Sequence, residues 1–419
     1  MENSATPRPL MSRTLIVFLF TMILANISSR MFNPYLPLYL KSLGASVSQV
    51  GLAFTVTMLA PLAFQILGGW VSDTIGRLQA IVIGSLAASV GYVFFIFADG
   101  WGWVLAGMAF SSLAGSFVAP SFQAYVAEQA DPKRLGKVYG LTEGLFSVVG
   151  IIGPLLGGFF SERFGFKWLF WVAGITYAIA TIIRVVMARN DRSVRAGGER
   201  RKLSWSGLKV NMGEMIALVT AGGIVTWMLV ADGVIDVSFS VSNQFQPIYL
   251  QDLAHFSNSQ IGVLISISSA VTMAVMLLGG GLSDKLGERV CIVGGGLLVA
   301  AGMVLFLLTR DYLGFVISFG LFGMGGGLLG PAYDSLISKA IPIRLRGTAF
   351  GLFSSSIGVI SLPAPWIGGI LWDQIGPRAP FMVPVIGILL LSPVVWFKFV
   401  LPKQTPREEL QAAAEGIDS

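Results

Sequence analysis

Charge, histidine and cysteine are all scarce in this sequence, and each shortage excludes something. Only 12% of the 419 residues are Asp, Glu, Lys or Arg, about half the share of an average soluble protein. No soluble globular chain of this composition could cover itself with polar groups. The single histidine, His255, falls in a predicted loop, so neither a Ser-His-Asp triad nor a multi-histidine metal centre can be built. One cysteine, Cys291, rules out a disulfide framework within the chain and a cysteine metal cluster. No Gly-x-x-x-x-Gly-Lys-[Ser/Thr] loop is present, so ATP is not an energy source. Neither an enzyme nor a bound cofactor or metal is expected.

What is abundant is apolar. Hydrophobic residues make up 54% of the chain, mean hydropathy is +0.76 and 51 residues are glycine. Runs almost free of charge at 15–26, 81–98 and 383–400 are continuous, unlike the alternating strands of a membrane barrel, so the spans are helices. The expected class is an all-α polytopic membrane protein. Polar breaks divide it into twelve predicted helices, near 14–40, 46–72, 79–98, 102–130, 138–163 and 167–188, then 213–250, 258–283, 290–309, 312–341, 347–372 and 376–400. The polar start followed by a long apolar run reads as a retained first helix, not a cleaved signal. The expected organisation is a six-helix bundle over 1–188, a basic linker over 189–212, a second bundle over 213–400 and a tail over 401–419.

Orientation follows from the basic residues. With both termini in the cytoplasm, 22 of the 28 Lys and Arg lie on that side, while Lys41, Arg163, Lys167, Arg310 and Arg378 fall in outer loops and Arg30 within a helix. The positive-inside rule selects this arrangement, and with it a multi-pass protein of the plasma membrane. The net charge of +6 suits anionic lipid headgroups rather than nucleic acid.

A shift of 210 or 211 residues superimposes the two halves. Pro37-Leu38-Tyr39-Leu40 returns as Pro247-Ile248-Tyr249-Leu250. Gln49 and Gly51 return as Gln260 and Gly262, and Gly69, Asp73 and Gly76 as Gly280, Asp284 and Gly287. Pro120, Gly136 and Gly140 map to Pro331, Gly347 and Gly351. Pro154, Gly157, Gly158 and Gly165 map to Pro365, Gly368, Gly369 and Gly376. The matches are Gly, Pro and Asp at one shift, which apolar composition alone does not produce. Six spans separate equivalent positions, so the repeats are parallel, related by an axis along the membrane normal. One chain supplies both bundles, and a monomer is expected.

These motifs resemble the major facilitator superfamily over essentially the whole chain. Its signature between the second and third helices, Gly-x-x-x-Asp-x-x-Gly-Arg, is similar to Gly69-Trp70-Val71-Ser72-Asp73-Thr74-Ile75-Gly76-Arg77. The second half keeps Gly280, Asp284 and Gly287 but carries Glu288 where the first half has Arg77. Gly153-Pro154-Leu155-Leu156-Gly157-Gly158 resembles the fifth-helix motif of the drug–proton antiporter branch. Ser111, Ser112 and Ser116 occupy the region of the fourth helix where many antiporters carry an arginine. The resemblance implies a fold of two facing bundles and transport by alternating access. It also implies that Asp73 meets the start of the eleventh helix, that Asp284 by the repeat meets the start of the fifth, and that Arg77 holds Asp73 with Glu128 as its partner.

Ionisable residues within a membrane default to function. Arg30, Glu143, Asp232, Asp236 and Asp334 qualify. Polar residues on the first helix of each half recur at i, i+4, i+7 and i+11, one helical face: Asn26, Arg30, Asn33 and Pro37, then Asp236, Ser240, Asn243 and Pro247. In the family these helices face each other across a central cavity, which the resemblance extends to both stripes. The alternative is a set of helix–helix hydrogen bonds and salt bridges with no substrate contact. Glu143 is a candidate proton-binding carboxylate or a group near the inner interface; Asp334 is an inner-cavity acid or a gate partner. The glycines around Pro154 let helices approach closely or serve to block leak. Four acids against one base favour proton-coupled export of small cationic, amphipathic compounds. The alternative is proton-coupled movement of a polar or anionic metabolite with Arg30 as its anchor. A non-transporting receptor would need a larger exposed domain.

Overall fold

The computed structural model describes residues 11–130, 134–190, 223–341 and 358–399, except the side chains of 62–63, 65–70, 73, 278–282 and 284. Among these residues all regular structure is helical. The first half comprises α1 (Arg13–Phe32), α2 (Leu36–Ser42), α3 (Val47–Ile75), α4 (Arg77–Ile96), α5 (Trp101–Gln129), α6 (Leu135–Phe164) and α7 (Phe166–Asn190). The second comprises α8 (Ile224–Ser240), α9 (Gln246–Asp252), α10 (Asn258–Leu286), α11 (Glu288–Leu308), α12 (Tyr312–Ala340), α13 (Ala364–Gln374) and α14 (Ala379–Lys398). With α1–α2 and α8–α9 each forming one passage, these helices trace the twelve expected crossings. Ten stretches among the described residues are long and apolar enough to span a bilayer, and Val47–Pro61 adds a shorter apolar one. The chain is a multi-pass membrane protein.

Three predicted helices are interrupted. The first and seventh break at 3₁₀ turns, Asn33–Tyr35 and Asn243–Phe245, just before Pro37 and Pro247. Proline brings no N–H, so the α-helical ladder loses a bond there, and the turns change the angle per residue. The eleventh predicted helix has a turn at 362–363, at Pro363, before α13 begins. α7 runs to Asn190, two residues past its predicted end. The linker beyond it and the tail lie outside the described residues.

The ends of the bundle need names. Arg13 and Lys398 begin α1 and end α14 on what we term the near face; the α2–α3 and α9–α10 connections lie on the opposite, far face. At the far face α3 and α10 start with matching capping boxes. Ser46 and Gln49 exchange side chain-to-backbone bonds in one, Ser257 and Gln260 in the other, satisfying N–H groups that a helix start leaves unpaired. At the near face the same two helices end on Gly76 (φ +111°) and Gly287 (φ +85°), conformations that a residue with a Cβ resists.

The two halves join along the far side. A Cβ on Gly51 would lie 2.2 Å from the Pro365 carbonyl oxygen, and one on Gly262 2.5 Å from that of Pro154. Gly158 backs onto the Asn258 carbonyl, and Gly369 onto Ser48. Two seams, α6 on α10 and α3 on α13, therefore rest on backbone contact made by repeat-matched glycines and prolines. Gly153 and Gly157 instead hold α6 against Arg30 and Met31 of α1, within the first half.

Core packing differs between the faces. On the far side, buried side chains of both halves form one continuous cluster, from Tyr35, Tyr39 and Phe170 to Phe245, Tyr249 and Phe381. Towards the near face each half has its own cluster, around Phe18, Phe122 and Tyr125 in the first and Met228, Tyr333 and Val395 in the second. Among the described residues, then, the halves meet at the far face and keep separate cores at the near one.

Candidate functional site

Between the halves lies a cavity of about 660 Å³. α1 contributes Arg30, α6 contributes Glu143, Ser147 and Gly150, and Asn243 follows α8. α10 adds Ser268, Ser269 and Thr272, while Phe146, Phe239, Phe319 and Phe322 with Met273 and Met303 supply apolar walls. Arg30, Glu143 and Asn243 are all exposed at its surface. The site is thus amphipathic, with one carboxylate and one guanidinium among flexible thioethers and aromatic faces that adapt to varied ligand shapes.

The predicted stripes do not reach this cavity intact. Of the first, only Arg30 does. Asn26 lines a separate pocket of about 340 Å³ inside the first half, Asn33 lines another of about 220 Å³ with Ser111 and Ser112, and Pro37 is buried. Of the second, Asn243 reaches the cavity, and so do Ile235 and Phe239. Asp232, Asp236 and Ser240 lie one residue round the helix from Ile235 and Phe239 and are half-buried. Asp236 accepts a hydrogen bond from Ser361, the last helical residue before the turn that precedes α13. Asp232 lies within electrostatic reach of Asp236 and Asp334, and Asp334 is exposed on α12. Among the described residues lining the cavity, Glu143 is the one acid and Arg30 the one base. The 3₁₀ turns can redirect only Asn33, Asn243 and the prolines beyond them; Asn26, Arg30, Asp236 and Ser240 lie in the uninterrupted helices before the turns, where a stripe about 16 Å long passes the levels of more than one cavity.

On the near face, Arg77 donates from Nε to Glu128 Oε1 at 2.9 Å and from Nη1 to Ser72 at 3.2 Å. This is the expected pairing. The second half repeats it in reverse: Glu288 accepts from Lys339 and from Ser335. The side chains of Asp73 and Asp284, the seats of Gly69 and Gly280, and the eleventh-helix start at Gly347 and Gly351 lie outside what the structure describes.

Sequence reasoning missed two features. One is a set of polar contacts across the far seams. Glu162 accepts from the Ser259 N–H at 2.8 Å, and Asp373 from the Ser48 N–H at 3.0 Å. The Tyr35 hydroxyl, which donates to the Pro154 carbonyl of its own half at 2.6 Å, also lies 3.3 Å from the Asn258 carbonyl across the seam, and Lys41 pairs with Asp252. The signal was present, since 162 and 373, and 48 and 259, differ by the repeat shift. The other is Arg184, counted above among the near-side basic residues. It is fully buried inside the first half.

Among the described residues no group of three or more His, Cys, Asp or Glu is placed to hold a metal ion. The family model of the Major Facilitator Superfamily matches residues 18–235 and 228–417. The multi-drug resistance efflux pump PmrA homolog of Lactococcus lactis is 26% identical over 87% of this chain and 88% of its own. Multidrug resistance protein 2 of Bacillus subtilis is also 26% identical, over 91% and 94%. The quinolone resistance protein NorA of Staphylococcus aureus is 23% identical over 92% and 96%. In fold, a bacterial homologue of the iron transporter ferroportin in its inward-facing state superimposes with a TM-score of 0.74 at 15% identity, covering 92% of this chain and 98% of that one.

Proposed function

The chain belongs to the major facilitator superfamily and is a transporter rather than an enzyme, and we propose that it exports small amphipathic or cationic compounds in exchange for protons. The observation that carries this reading is the cavity between the halves, where Glu143 faces aromatic and thioether walls. A cationic amphipath would lay its apolar body on Phe239, Phe319 and Phe322 and place its charge near the Glu143 carboxylate. A proton on Glu143 and a cation beside it compete for one negative charge, and that competition is the coupling. The far-side seams close one entrance while the halves keep separate cores towards the other. Rocking about the cavity would exchange those two conditions. The Lactococcus relative, a multi-drug resistance efflux pump by name, and the multidrug resistance protein of Bacillus support export. Both termini would lie in the cytoplasm of a plasma-membrane monomer, the near face being the cytoplasmic one.

Arg30 in the same cavity favours a second reading, with an anionic metabolite paired to the guanidinium. Proteoliposomes with an imposed pH gradient and an internal pH dye separate the two. Addition of lipophilic cations such as tetraphenylphosphonium should move protons. A response confined to polar carboxylates would transfer the assignment to the second reading, and substrate movement without any proton movement would overturn coupling.

A further inference from the structure

Arg184 is a cation without a counter-ion. It lies on α7, six residues from the helix end, with no exposed surface. Nε donates to Thr21 Oγ1 at 3.1 Å, Nη1 to Ser85 Oγ at 2.7 Å, and Nη2 to the Thr21 carbonyl at 3.1 Å and to Met22 Sδ. The Tyr177 ring lies 6.0 Å away. All of these partners are neutral, and no carboxylate among the described residues pairs with it. A guanidinium does not shed its proton. Burying such a charge costs several kcal/mol unless an opposite charge offsets it, and in a membrane such groups mark ligand sites or relays.

Arg184 is among the residues around the pocket of about 340 Å³ inside the first half. A second polar group in that pocket also lacks a partner. Ser111 Oγ is buried with no hydrogen bond. Two positions on α4 mark the levels of these two groups along the bundle. Ser85 bonds to Arg184, and a Cβ on Gly91 would lie 2.9 Å from Ser111 Oγ. Six residues of helix separate these levels by about 9 Å. Phe32, Tyr92 and Phe122 wall the space between. On one side the pocket is open: Gly115 and Ala119 are exposed, and a Cβ on Gly115 would meet nothing within 4 Å.

We propose that this pocket binds an elongated aromatic carboxylate, its anionic end at Arg184 and a hydrogen-bonding group at Ser111. The carboxylate supplies the missing counter-charge, and the ring stacks among Phe32, Tyr92 and Phe122. No described residue lines both this pocket and the cavity between the halves, and the proposal does not depend on the direction of transport or on its coupling.

The test is calorimetric binding to the full chain in lipid nanodiscs without any gradient. The probes are 4-hydroxybenzoate, its uncharged methyl ester, and benzoate. Wild type should bind 4-hydroxybenzoate at least tenfold more tightly than the ester. Gly115→Leu fills the pocket without touching the Arg184 hydrogen bonds and should weaken 4-hydroxybenzoate at least tenfold. Arg184→Gln should do the same if it folds; Gly115→Leu decides the matter if it does not. Ser111→Ala should weaken 4-hydroxybenzoate several-fold and leave benzoate unchanged. Arg30→Gln, in the other cavity, should leave both affinities intact. Equal binding of acid and ester, no binding by wild type, or loss in Arg30→Gln with retention in Gly115→Leu would each overturn the proposal.

Discussion

Glu162 and Asp373 occupy equivalent positions in the two halves, and each accepts a backbone hydrogen bond from a helix start in the other half. The donors, Ser259 and Ser48, are equivalent as well. Each is the second residue of its helix, where the N–H has no partner in its own helix. Side chains of Ser46 and Ser257 satisfy the N–H one residue on, so local cap and cross-half carboxylate divide the work. Both contacts can form only while the far face is closed.

Glu162→Gln with Asp373→Asn should therefore loosen the far face. A carboxylate at an exposed helix start contributes about 0.3–1 kcal/mol, so losing two should shift the balance of conformations roughly 3- to 30-fold. Spin-label distances between cysteines placed at Ser42 and Leu253 would show a new, longer population. An unchanged distribution with normal transport would remove the latch role.

Alanine at Gly51 and at Gly157 should fail in different ways. At Gly51 the new Cβ would collide with the Pro365 carbonyl across the seam; at Gly157 it would lie 1.9 Å from the Met31 carbonyl within one half. Gly51→Ala is expected to favour far-open forms at near-normal stability of the halves. Gly157→Ala is expected to lower the unfolding temperature whichever face is open. Thermal denaturation beside the same distance measurement distinguishes them, and identical behaviour of the two variants would contradict the packing account.

Glu143→Gln should abolish gradient-driven transport while substrate still equilibrates down its own gradient, because the amide mimics a permanently protonated acid. Asp236→Asn should keep coupling, since Asp236 is bonded to Ser361 and is not among the described residues that line the cavity. Proton-flux assays in proteoliposomes read both. Coupling retained in Glu143→Gln and lost in Asp236→Asn would reverse the assignment.

Orientation can be read by thiol labelling in a Cys291→Ser background. Cysteine at Ser193 or Ala412 should react from the cytoplasm, and cysteine at exposed His255 from outside. Asn258, although near the same loop, is a poor reporter because it is buried against Gln251 and Tyr35. Labelling of position 193 from outside intact cells would invert the topology.

The sequence was most informative where the repeat is strict. Gly51, Pro154 and Gly158 were visible as shift-matched positions, and with their mates they are the contacts on which the far seams rest. Arg77 with Glu128 was equally legible, since both lie at near-face helix ends that the motif brings together. Glu162 and Asp373 escaped notice because a carboxylate at a helix end normally faces water, and because one half uses Glu where the other uses Asp. Arg184 was read as an interfacial cation for a related reason. Its distance from the end of α7 lies within reach of headgroups, and its partners Thr21 and Ser85 are remote in sequence. Helical periodicity also gives a face but not a depth, so it could not foresee that Asn26 and Arg30, four residues apart on α1, border different cavities.

The ion pairs Arg77–Glu128 and Glu288–Lys339 occupy the same two places with their signs exchanged. If both halves descend from one duplicated ancestor, two substitutions separate the arrangements, and every single step between them leaves two like charges facing each other. Such pairs at the membrane surface contribute only about 0–1 kcal/mol, so a lineage could carry the mismatched intermediate until the second change arrived. The same reversal puts a penalty of the same small size on recombination. A helix exchanged between the halves would bring a sign that its new neighbour repels, so the two descendants differ in charge at this corner while their glycine seams remain alike.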